Sequence, residues 1–314
     1  MSDLVTLGET MALLSAPRVG RLRDMKSLRL SAAGSESNVA IGVCRLGCSA
    51  SWTGRVGADE LGQMILTALR AEGVDVSASI VDPSAQTALM FKERRGPNVA
   101  RVTYYRRGYA GSRLSPDDVN ETLISTARML HVTGITLGLS ETARAAAYRA
   151  VEIARAASVP VSFDFNYRAA LWPPQEAAEQ FRSMSSLAGL VFAGEDELAI
   201  LAPDDLLEGA RRLAGDGERA VVVKRGPKGA FSVIDGVVHE EPARNVVAVD
   251  PVGAGDAFVA GYIVGTFDGL DTPGRLAMAT ATGAYAVTVL GDWEGMPSRE
   301  DLALLSREEG TTIR

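Results

Sequence analysis

Short apolar runs recur along the chain, and segments with helical spacing separate most of them. Each run is short enough to form a single strand. The runs are Val5–Leu7, Ala50–Thr53, Met129–Thr133, Val159–Phe163, Leu190–Phe192 and Ala220–Val223. Because predicted strands and helices alternate, the pattern favours a mostly parallel sheet that is covered by helices.

One segment shows the helical spacing clearly and carries terminal signals. Apolar residues of Asn38–Leu46 recur on one helix face, and Gly47 follows as a candidate C-cap. The polar residues Ser35–Asn38 precede this face. We expect them to supply capping groups to the start of the helix.

Two stretches depart from the alternation of strands and helices. Met11–Ser31 and Thr87–Ser112 contain arginine, aromatic and β-branched residues without a helical period. The second has a turn signal at Gly96-Pro97-Asn98. We interpret both stretches as a small β-sheet appended to the main one. Farther along, Asp235-Gly236 separates two strand-like runs and predicts a two-residue hairpin.

Composition and charge limit the classes of partner. The 314 residues are 46% hydrophobic and 23% charged, an ordinary globular balance, and the formal net charge is −7. This acidic balance argues against nucleic acid or an anionic membrane as partner and favours a small molecule. No apolar run reaches the roughly 18 residues of a membrane span, and no secretory signal precedes the first strand. We therefore expect a cytoplasmic protein.

Cysteine and histidine are too scarce for several kinds of active site. Cys44 and Cys48 are the only cysteines, four positions apart on the predicted helix, and cannot by themselves form a tetrahedral zinc site. We expect buried thiols. His131 and His239 are the only histidines, and His131 lies within an apolar strand, so a Ser-His-Asp or multi-histidine mechanism has little support.

The most specific motif of the chain is Asp250-Pro251-Val252-Gly253-Ala254-Gly255-Asp256. It follows the strand-like run Val246–Val249 and precedes the helical run Ala257–Phe267. Its glycines allow a ligand to approach the backbone, and the free amides at the start of a helix form an anion site. In the first helical turn, Asp256 can accept a proton from an alcohol that attacks a phosphate. The alternative is a glycine-softened helix that packs on a strand.

Two commoner phosphate-binding loops are excluded. A Walker loop needs a lysine directly after a glycine, and none of Lys26, Lys92, Lys224 and Lys228 follows one. A Rossmann loop needs a third glycine where Phe258 stands. The order of strand, Gly-Ala-Gly-Asp and helix instead resembles the C-terminal signature of the ribokinase-like (PfkB) carbohydrate kinases.

The N-terminal half of this resemblance is Ala33–Ala40, followed by Leu46-Gly47. In the family this segment approaches the sugar through a glycine and an asparagine. The resemblance therefore implies that Gly34 and Asn38 bind substrate. From the residues alone, Asn38 is equally well interpreted as a helix cap.

Further motifs follow in the order typical of the family. The loop Lys224–Gly229 resembles the nucleotide side of the family's active site. Gly194–Glu197 stands in the place of the family's Asn-x-x-Glu motif, which implies that Glu197 helps indirectly to organise magnesium. The resemblance implies ATP contacts at Asn166, Arg168, Lys224, Gly226, Gly229, Gly253, Ala254, Gly255 and Asp256.

Five stretches resemble the family members that phosphorylate the sugar acid 2-keto-3-deoxygluconate. They are Tyr104–Gly108, His131–Ile135, Asp164–Arg168, Asp250–Gly253 and Gly291–Gly295. The resemblance implies substrate contacts at Gly34, Asn38, Tyr104, Arg106, Arg168, Asp256 and Asp292. A substrate carboxylate needs compensating charge, which the planar guanidinium of arginine provides. From the residues alone, Arg106 and Arg107 also fit a solvated strand face.

The resemblance also implies an architecture and a reaction. The expected fold is a three-layer, ribokinase-like α/β core with a mostly parallel sheet and a small β-sheet lid. We expect one domain over residues 1–314, with the lid built from about 11–31 and 87–112. ATP and Mg²⁺ are the implied cofactors, Asp256 is the implied base for the sugar's 6-hydroxyl, and a homo-oligomer through the lid is the implied assembly.

Two alternatives to a 2-keto-3-deoxygluconate kinase stay open. The nearer alternative is a kinase of the same family for a neutral sugar, such as fructose or ribose, or for another deoxy sugar acid. The more distant one is a sugar-acid sensor that has lost turnover. The presence of Asp256 and of the 253–255 glycine loop argues against the sensor.

Overall fold

The computed structural model describes residues 1–96 and 99–305, in which fourteen strands and eleven α-helices are found. The strands are β1 (Leu4–Leu7), β2 (Met11–Ser15), β3 (Arg29–Ala33), β4 (Ala50–Thr53), β5 (Arg55–Gly57), β6 (Ile80–Asp82), β7 (Leu89–Gly96), β8 (Val99–Tyr105), β9 (Met129–Thr133), β10 (Val161–Asp164), β11 (Leu190–Gly194), β12 (Ala220–Lys224), β13 (Ala230–Ile234) and β14 (Val237–Glu241). The helices are α1 (Ser35–Arg45), α2 (Glu60–Ala71), α3 (Glu121–Ser125), α4 (Gly134–Leu139), α5 (Glu141–Ala156), α6 (Pro174–Ser185), α7 (Glu195–Leu198), α8 (Leu206–Ala214), α9 (Ala254–Phe267), α10 (Thr272–Ala286) and α11 (Arg299–Leu304).

The main sheet has eight strands in the order β14-β13-β12-β11-β10-β9-β1-β4. Six neighbouring strands of this sheet run parallel to one another: β12, β11, β10, β9, β1 and β4. Strands β13 and β14 extend the sheet antiparallel, joined by the predicted hairpin at Asp235 and Gly236, both with positive φ. The predicted mostly parallel α/β sheet is confirmed.

Residues of the parallel strands alternate between two hydrophobic cores. In β11, Val191 packs into one core with helices α5, α6 and α8, whereas Phe192 packs into the other with α1, α2, α9 and α10. Val221 and Val222 of β12 divide in the same way. Because both faces of the sheet are covered, the apolar residues form continuous runs rather than an alternating pattern. The architecture is the predicted three-layer one.

A second sheet has the order β3-β2-β7-β8. Its strands lie in the two stretches that lack helical periodicity, except that β3 continues two residues beyond Ser31, to Ala33. Strand β2 pairs antiparallel with β3 and parallel with β7. Pro97 and Asn98 of the predicted turn lie outside the described residues. Met11, Leu13 and Met90 on its inner face form a small core. We call this sheet the lid sheet.

Two predictions about local structure are wrong. The run Val246–Val249 is not a strand, and Val247 is 83% exposed there. The main sheet already ends at β14, and the Val249 amide instead donates to the carbonyl of Val287, the residue after α10. The polar residues Ser35–Asn38 belong to helix α1, which starts at Ser35, and do not precede the helix as expected. The helix ends at Arg45, so Cys48 lies beyond it. Both cysteines are half-buried and free.

Two further observations concern long apolar helices and the histidine of β9. Over residues 1–96 and 99–305, no helix combines the length and apolar character that crossing a bilayer would require. His131 is fully buried in β9, where its Nδ1 lies 3.0 Å from Ser162 Oγ, and burial lowers its pKa to about 3. A neutral, enclosed imidazole agrees with the structural role expected for this histidine.

Candidate active site

Two cavities lie on opposite sides of the start of helix α9. The larger one measures about 520 Å³, and Ala254 and Gly255 line it. The smaller one measures about 220 Å³, and Gly253 and Asp256 line it. The first turn of α9 therefore forms part of both walls, so one group of residues can contact a ligand in each cavity.

The backbone at the start of α9 is suited to bind an anion. Gly253 is the N-cap and has φ of +79°, a left-handed conformation that favours glycine. A Cβ atom at Gly253 would also collide with the carbonyl oxygen of Asp292. The first-turn amides have no acceptors within the helix, and the helix dipole adds positive potential there. The anion site predicted from the motif is thus compatible with the geometry.

Close packing of α1 and α9 brings polar groups to Asp256. A Cβ atom on Gly42 of α1 would lie 2.7 Å from the Cβ atom of Ala260 on α9, so only a glycine allows this approach. Ser35 Oγ donates to Asp256 Oδ1 at 2.7 Å, and Asn38 Nδ2 donates to Oδ2 at 2.9 Å. The interpretation of Asn38 as a cap is wrong, because it lies inside the helix and contacts Asp256.

Asp256 is buried, and its surroundings have opposing effects on the pKa of its carboxyl group. Burial raises the pKa of its carboxyl, and the hydrogen bonds from Ser35 and Asn38 oppose this rise. The positive charges of Arg168 and Lys224 also favour the carboxylate form. A carboxylate that is desolvated yet hydrogen-bonded can accept a proton from a hydroxyl group placed against it.

Every residue that the sequence predicted as a substrate contact lines the smaller cavity. These residues are Gly34, Asn38, Tyr104, Arg106, Arg168, Asp256 and Asp292. The inner face of the lid sheet covers this cavity through Met11, Met90 and Val102. Among the described residues, several buried polar atoms of the lining have no hydrogen-bond partner, including Glu9 Oε1, Asn38 Oδ1 and Arg106 Nε. Such atoms are expected where a polar ligand supplies the missing hydrogen bonds.

Arg106 is held from two sides. It is 8% exposed, so its interpretation as part of a solvated strand face is wrong. Its Nη2 lies 2.6 Å from Glu9 Oε2, and its guanidinium carbon lies 5.2 Å from the centre of the Tyr104 ring. Sequence reasoning missed Glu9, which lies between β1 and β2 and shows no motif. Arg168 is exposed, and its Nη1 donates to the Tyr167 carbonyl at 2.9 Å.

Asp292 brings a second buried carboxyl group to the smaller cavity. Burial raises its pKa to about 7, and the nearby charge of Asp256 adds to the rise, whereas Lys92 opposes it. Its backbone amide donates to Glu294 Oε2 at 2.8 Å. Burial, and then the repulsion between the two carboxylates, therefore favour the protonated form of Asp292 more strongly than in a solvated aspartate.

The larger cavity contains a lysine at the end of β12. Lys224 Nζ donates to both carboxylate oxygens of Asp164, at 2.8 and 2.7 Å. Burial disfavours its charged form, but the attraction to Asp164 outweighs this effect and raises the pKa of Lys224. A Cβ atom on Gly255 would lie 3.8 Å from Nζ. The ammonium group therefore faces the start of α9.

The other predicted nucleotide contacts do not all line the larger cavity. Gly226 and Gly229 line it with Lys224, and residues 243–246, Ala248 and Thr280 also belong to its wall. Asn166, with φ of +37°, lines neither cavity in this structure; its Nδ2 donates to Ser35 Oγ at 2.5 Å and lies 3.5 Å from Asp256 Oδ1. Asn166 thus supports the groups that orient Asp256.

Glu197 organises backbone groups next to the larger cavity. Its Oε2 accepts from the Gly194 amide at 2.6 Å, and its Oε1 accepts from the Tyr167 amide at 2.9 Å. Among the described residues, no group of three or more His, Cys, Asp or Glu side chains could hold a metal ion alone. Mg²⁺ is commonly bound through substrate phosphates, water and one or two carboxylates. The residues present therefore fit an ion that arrives with a nucleotide.

Comparison with known proteins identifies the family. A family model described as pfkB family carbohydrate kinase matches residues 1–299. The chain belongs to this family. Members of the PfkB family transfer a phosphoryl group to a sugar, and the two cavities with a shared wall fit this task. The resemblance inferred from the motifs is confirmed, including its ribokinase-like fold class.

Three relatives match almost the full chain. A 2-dehydro-3-deoxygluconokinase of Thermoproteus tenax is 40% identical over 306 residues, covering 95% of this chain and 92% of the relative. One of Bacillus subtilis is 38% identical, with coverage of 96% and 94%. A 2-dehydro-3-deoxygalactonokinase of Haloferax volcanii is 36% identical, with coverage of 93% and 92%.

A solved structure extends the comparison to the cofactors. A candidate ribokinase II of E. coli, crystallised with ATP and Mg²⁺, has a TM-score of 0.89 at 26% identity and covers 97% of this chain and 99% of that one. The predicted cofactors, ATP and Mg²⁺, are confirmed at the level of the PfkB family. The protein is an ATP-dependent carbohydrate kinase.

The raised pKa of Asp292 predicts a pH-dependent contribution to stability. The folded-state pKa of about 7 lies above the ordinary value of 3.8, so the folded protein binds this proton more tightly than the unfolded chain. The contribution is complete below about pH 4 and is lost as the pH rises through about 7. Asp292→Asn removes it. We expect the free energy of unfolding of the wild type, relative to Asp292→Asn, to fall by about 1–3 kcal/mol between pH 5 and 7.5.

Urea unfolding of both proteins at several pH values measures this difference. The comparison cancels the titration of groups that lie far from Asp292 and keep the same surroundings in both proteins. Parallel pH dependences of the two proteins would contradict the assignment of a raised pKa to Asp292.

Proposed function

We propose that the protein phosphorylates the 6-hydroxyl of 2-keto-3-deoxygluconate, also called 2-dehydro-3-deoxygluconate, to give 2-keto-3-deoxy-6-phosphogluconate. The observation that carries this proposal is the shared wall of the two cavities, where Asp256 faces the smaller cavity and Gly255 the larger one. The names of the relatives support the sugar acid as substrate class.

Charge in the smaller cavity supports an acid substrate. Among the described lining residues, three are acidic and three are basic: Glu9, Asp256 and Asp292, and Lys92, Arg106 and Arg168. Lys92 is paired with Asp250 and Arg106 with Glu9, whereas Arg168 is exposed and adds a positive charge that can compensate a substrate carboxylate. We propose that Arg106 and Arg168 bind this carboxylate, because guanidinium groups match its geometry. Gly34, Asn38 and Tyr104 bind the remaining polar groups and the chain of the sugar.

The proposed reaction is an in-line transfer between the cavities. Asp256 takes the proton of the 6-hydroxyl, the hydroxyl oxygen forms a bond to the γ-phosphorus of ATP, and ADP leaves with the electron pair of the broken bond. The amides of the 253–255 loop and Lys224 stabilise the negative charge on the transferred group. Mg²⁺ supplies further charge neutralisation when bound with the nucleotide.

The lid sheet and Glu197 have supporting tasks in this proposal. The lid sheet covers the smaller cavity and excludes water, which would otherwise compete for the phosphoryl group. Glu197 fixes the Gly194 and Tyr167 amides at its two oxygens and thereby orders the edge of the nucleotide site indirectly. Gly226, Gly229 and Ala254, which line the larger cavity, contact ATP in the same proposal.

A specific observation favours the galacto epimer as a second substrate. The relative from Haloferax volcanii is a 2-dehydro-3-deoxygalactonokinase and matches over 93% of this chain. The two acids differ only in the orientation of one hydroxyl group, so the same arginine residues serve both. A neutral sugar such as fructose or ribose has no carboxylate that Arg106 and Arg168 could bind.

We also propose that the protein forms a homo-oligomer through the outer face of the lid sheet. Leu14, Leu30 and Phe91 lie in one row across three strands, and Tyr105 packs against Phe91 with 5.7 Å between the ring centres. Leu30 is 49% exposed and Tyr105 is 51% exposed. An exposed apolar sheet face is normally covered by a partner.

Sedimentation velocity tests the oligomer. We expect the wild type to sediment as a dimer or larger species and Leu30→Asp to shift toward the monomer, because a charge on the covered face opposes association. Leu207→Asp, at an exposed apolar residue of α8, is the matched control and should leave the distribution unchanged. A monomeric wild type would contradict the proposal.

Asp256→Asn tests the proposed base. We expect the protein to fold and bind ATP, with kcat lowered by about 10²–10⁴-fold, the loss typical for removal of a general base. Asp216→Asn, at an exposed loop position, is the control for the substitution itself. If kcat of Asp256→Asn stayed within about threefold of the control, Asp256 would not be the base.

Substrate comparison with Arg106→Lys tests acid recognition. A coupled ADP assay should show kcat/KM for 2-keto-3-deoxygluconate well above the values for fructose, ribose and gluconate. Arg106→Lys should raise KM for the acid by about 10–100-fold, since an ammonium group cannot contact Glu9 and a carboxylate in the same fork geometry. Arg107→Lys, at the exposed neighbouring residue, is the control.

A clear preference of the wild type for a neutral sugar would keep the kinase activity and contradict the proposed substrate. Equal losses of Arg106→Lys on acid and neutral sugars would show that Arg106 supports the lid sheet instead of binding the carboxylate. Tight binding of the acid without any phosphorylation would favour a sensor.

A further inference from the structure

The ammonium group of Lys92 is buried between the lid sheet and the motif at the start of α9. Lys92 lies on β7, in the interior of the lid sheet, paired with Ser15 on β2 and Val102 on β8. Lys92 is only 4% exposed to solvent. Nζ donates to Asp250 Oδ2 at 2.6 Å and lies 3.4 Å from the Gly291 carbonyl oxygen. Lys92 of the lid sheet thus contacts two segments of the core, one that contains Asp250 and one that contains Gly291.

Asp250 connects the same two segments to each other. Its Oδ1 accepts from the Val252 amide at 3.3 Å, and its Oδ2 accepts from the Gly291 amide at 3.4 Å. Val252 directly precedes Gly253, and Gly291 directly precedes Asp292. One carboxylate therefore holds the backbone just before the anion-binding loop and just before the second acid of the smaller cavity.

The two segments also touch beyond this carboxylate. Gly253 packs so closely on the Asp292 carbonyl oxygen that no Cβ atom would fit between them. A displacement of either segment would therefore shift the other. Asp250 itself does not line the smaller cavity. It accepts hydrogen bonds from the amides of Val252 and Gly291, and the residues that follow these two, Gly253 and Asp292, do line the cavity.

The burial of the pair makes Lys92 necessary for this arrangement. Asp250 is 7% exposed, and a buried carboxylate without a cation nearby is strongly unfavourable. Arg94, two residues along β7, lines a separate cavity of about 190 Å³ together with Lys92 and Asp250. Within residues 1–96 and 99–305, Lys92 is the only base that forms an ion pair with Asp250. The carboxylate keeps its position next to the amides only when β7, and hence the lid sheet, lies over the core.

We propose that Lys92 is a positioning residue, which couples closure of the lid sheet to the placement of the anion-binding loop and of Asp292 through the Asp250 carboxylate. This inference rests on the proposed phosphoryl transfer between the two cavities. When the lid sheet closes over a sugar, Lys92 completes the contacts of Asp250 and the 253–255 amides take their position next to the phosphate. When the lid sheet is open, these contacts are incomplete and transfer to water is slow.

Lys92→Met tests the proposal, because methionine keeps most of the apolar stem and removes the charge. Lys26→Met is the matched control, an exposed lysine in the segment between β2 and β3. We expect Lys92→Met to lower kcat by about 10–100-fold relative to the control, the size of loss that a displacement of about 1 Å in an active site causes. KM for the sugar should change by less than kcat does. Lys92→Arg should recover at least part of kcat.

Asp250→Asn and the double variant Lys92→Met/Asp250→Asn complete the test. If both residues act through one contact, the double variant loses no more kcat than the worse single variant. The double variant also contains no unpaired buried charge, so it remains informative if Lys92→Met alone does not fold. Thermal unfolding of each variant separates loss of fold from loss of positioning.

Three results would overturn the inference. A Lys92→Met enzyme that matches Lys26→Met would show that the contact has no role in transfer. An increase in KM with unchanged kcat would make Lys92 a direct ligand of the sugar. Losses of the two single variants that multiply in the double variant would show independent roles. All assays use the sugar that the wild type accepts best, so a wild-type preference for a neutral sugar would contradict only the proposed substrate.

Discussion

The hydrogen bonds between Asp256 and helix α1 are the interaction on which the arrangement of the active site depends. Ser35 and Asn38 donate to the two carboxylate oxygens, which joins the first turn of α1 to the first turn of α9. Close packing at Gly42 and Ala260 permits this junction. Because the two helices start next to each other, the Asp256 carboxylate faces the smaller cavity under the lid sheet, and the first turn of α9 separates this cavity from the larger one.

Local motifs allowed much of the fold and site to be predicted. The 250–256 motif requires a special backbone at Gly253 and an acid in a first helical turn, and both properties depend on neighbours in sequence. The same is true of the hairpin at Asp235 and Gly236. Apolar runs predicted the parallel strands because both faces of the main sheet are buried. Confirmation of the family then rests on the order of the motifs as well as on their content.

Features that depend on distant residues could not be predicted. Glu9 contacts Arg106, and Lys92 contacts Asp250, across 97 and 158 positions of the sequence, and none of these pairs has a local signature. The run Val246–Val249 has the composition of a strand, but apolar β-branched residues also suit a cavity wall, which is where Val246 lies. The local sequence of Asn38 fits a cap, because its partner Asp256 is 218 positions away.

The central claim is that the sugar acid lies with its 6-hydroxyl at Asp256 and its carboxylate at the arginine residues. A crystal structure of Asp256→Asn with 2-keto-3-deoxygluconate and a non-hydrolysable ATP analogue measures this orientation directly. The account predicts that the 6-hydroxyl lies within hydrogen-bond distance of residue 256, about 3 Å, on the side of the γ-phosphate, and that the carboxylate contacts Arg106. A sugar bound in the opposite direction, with its carboxylate at residue 256, would contradict it.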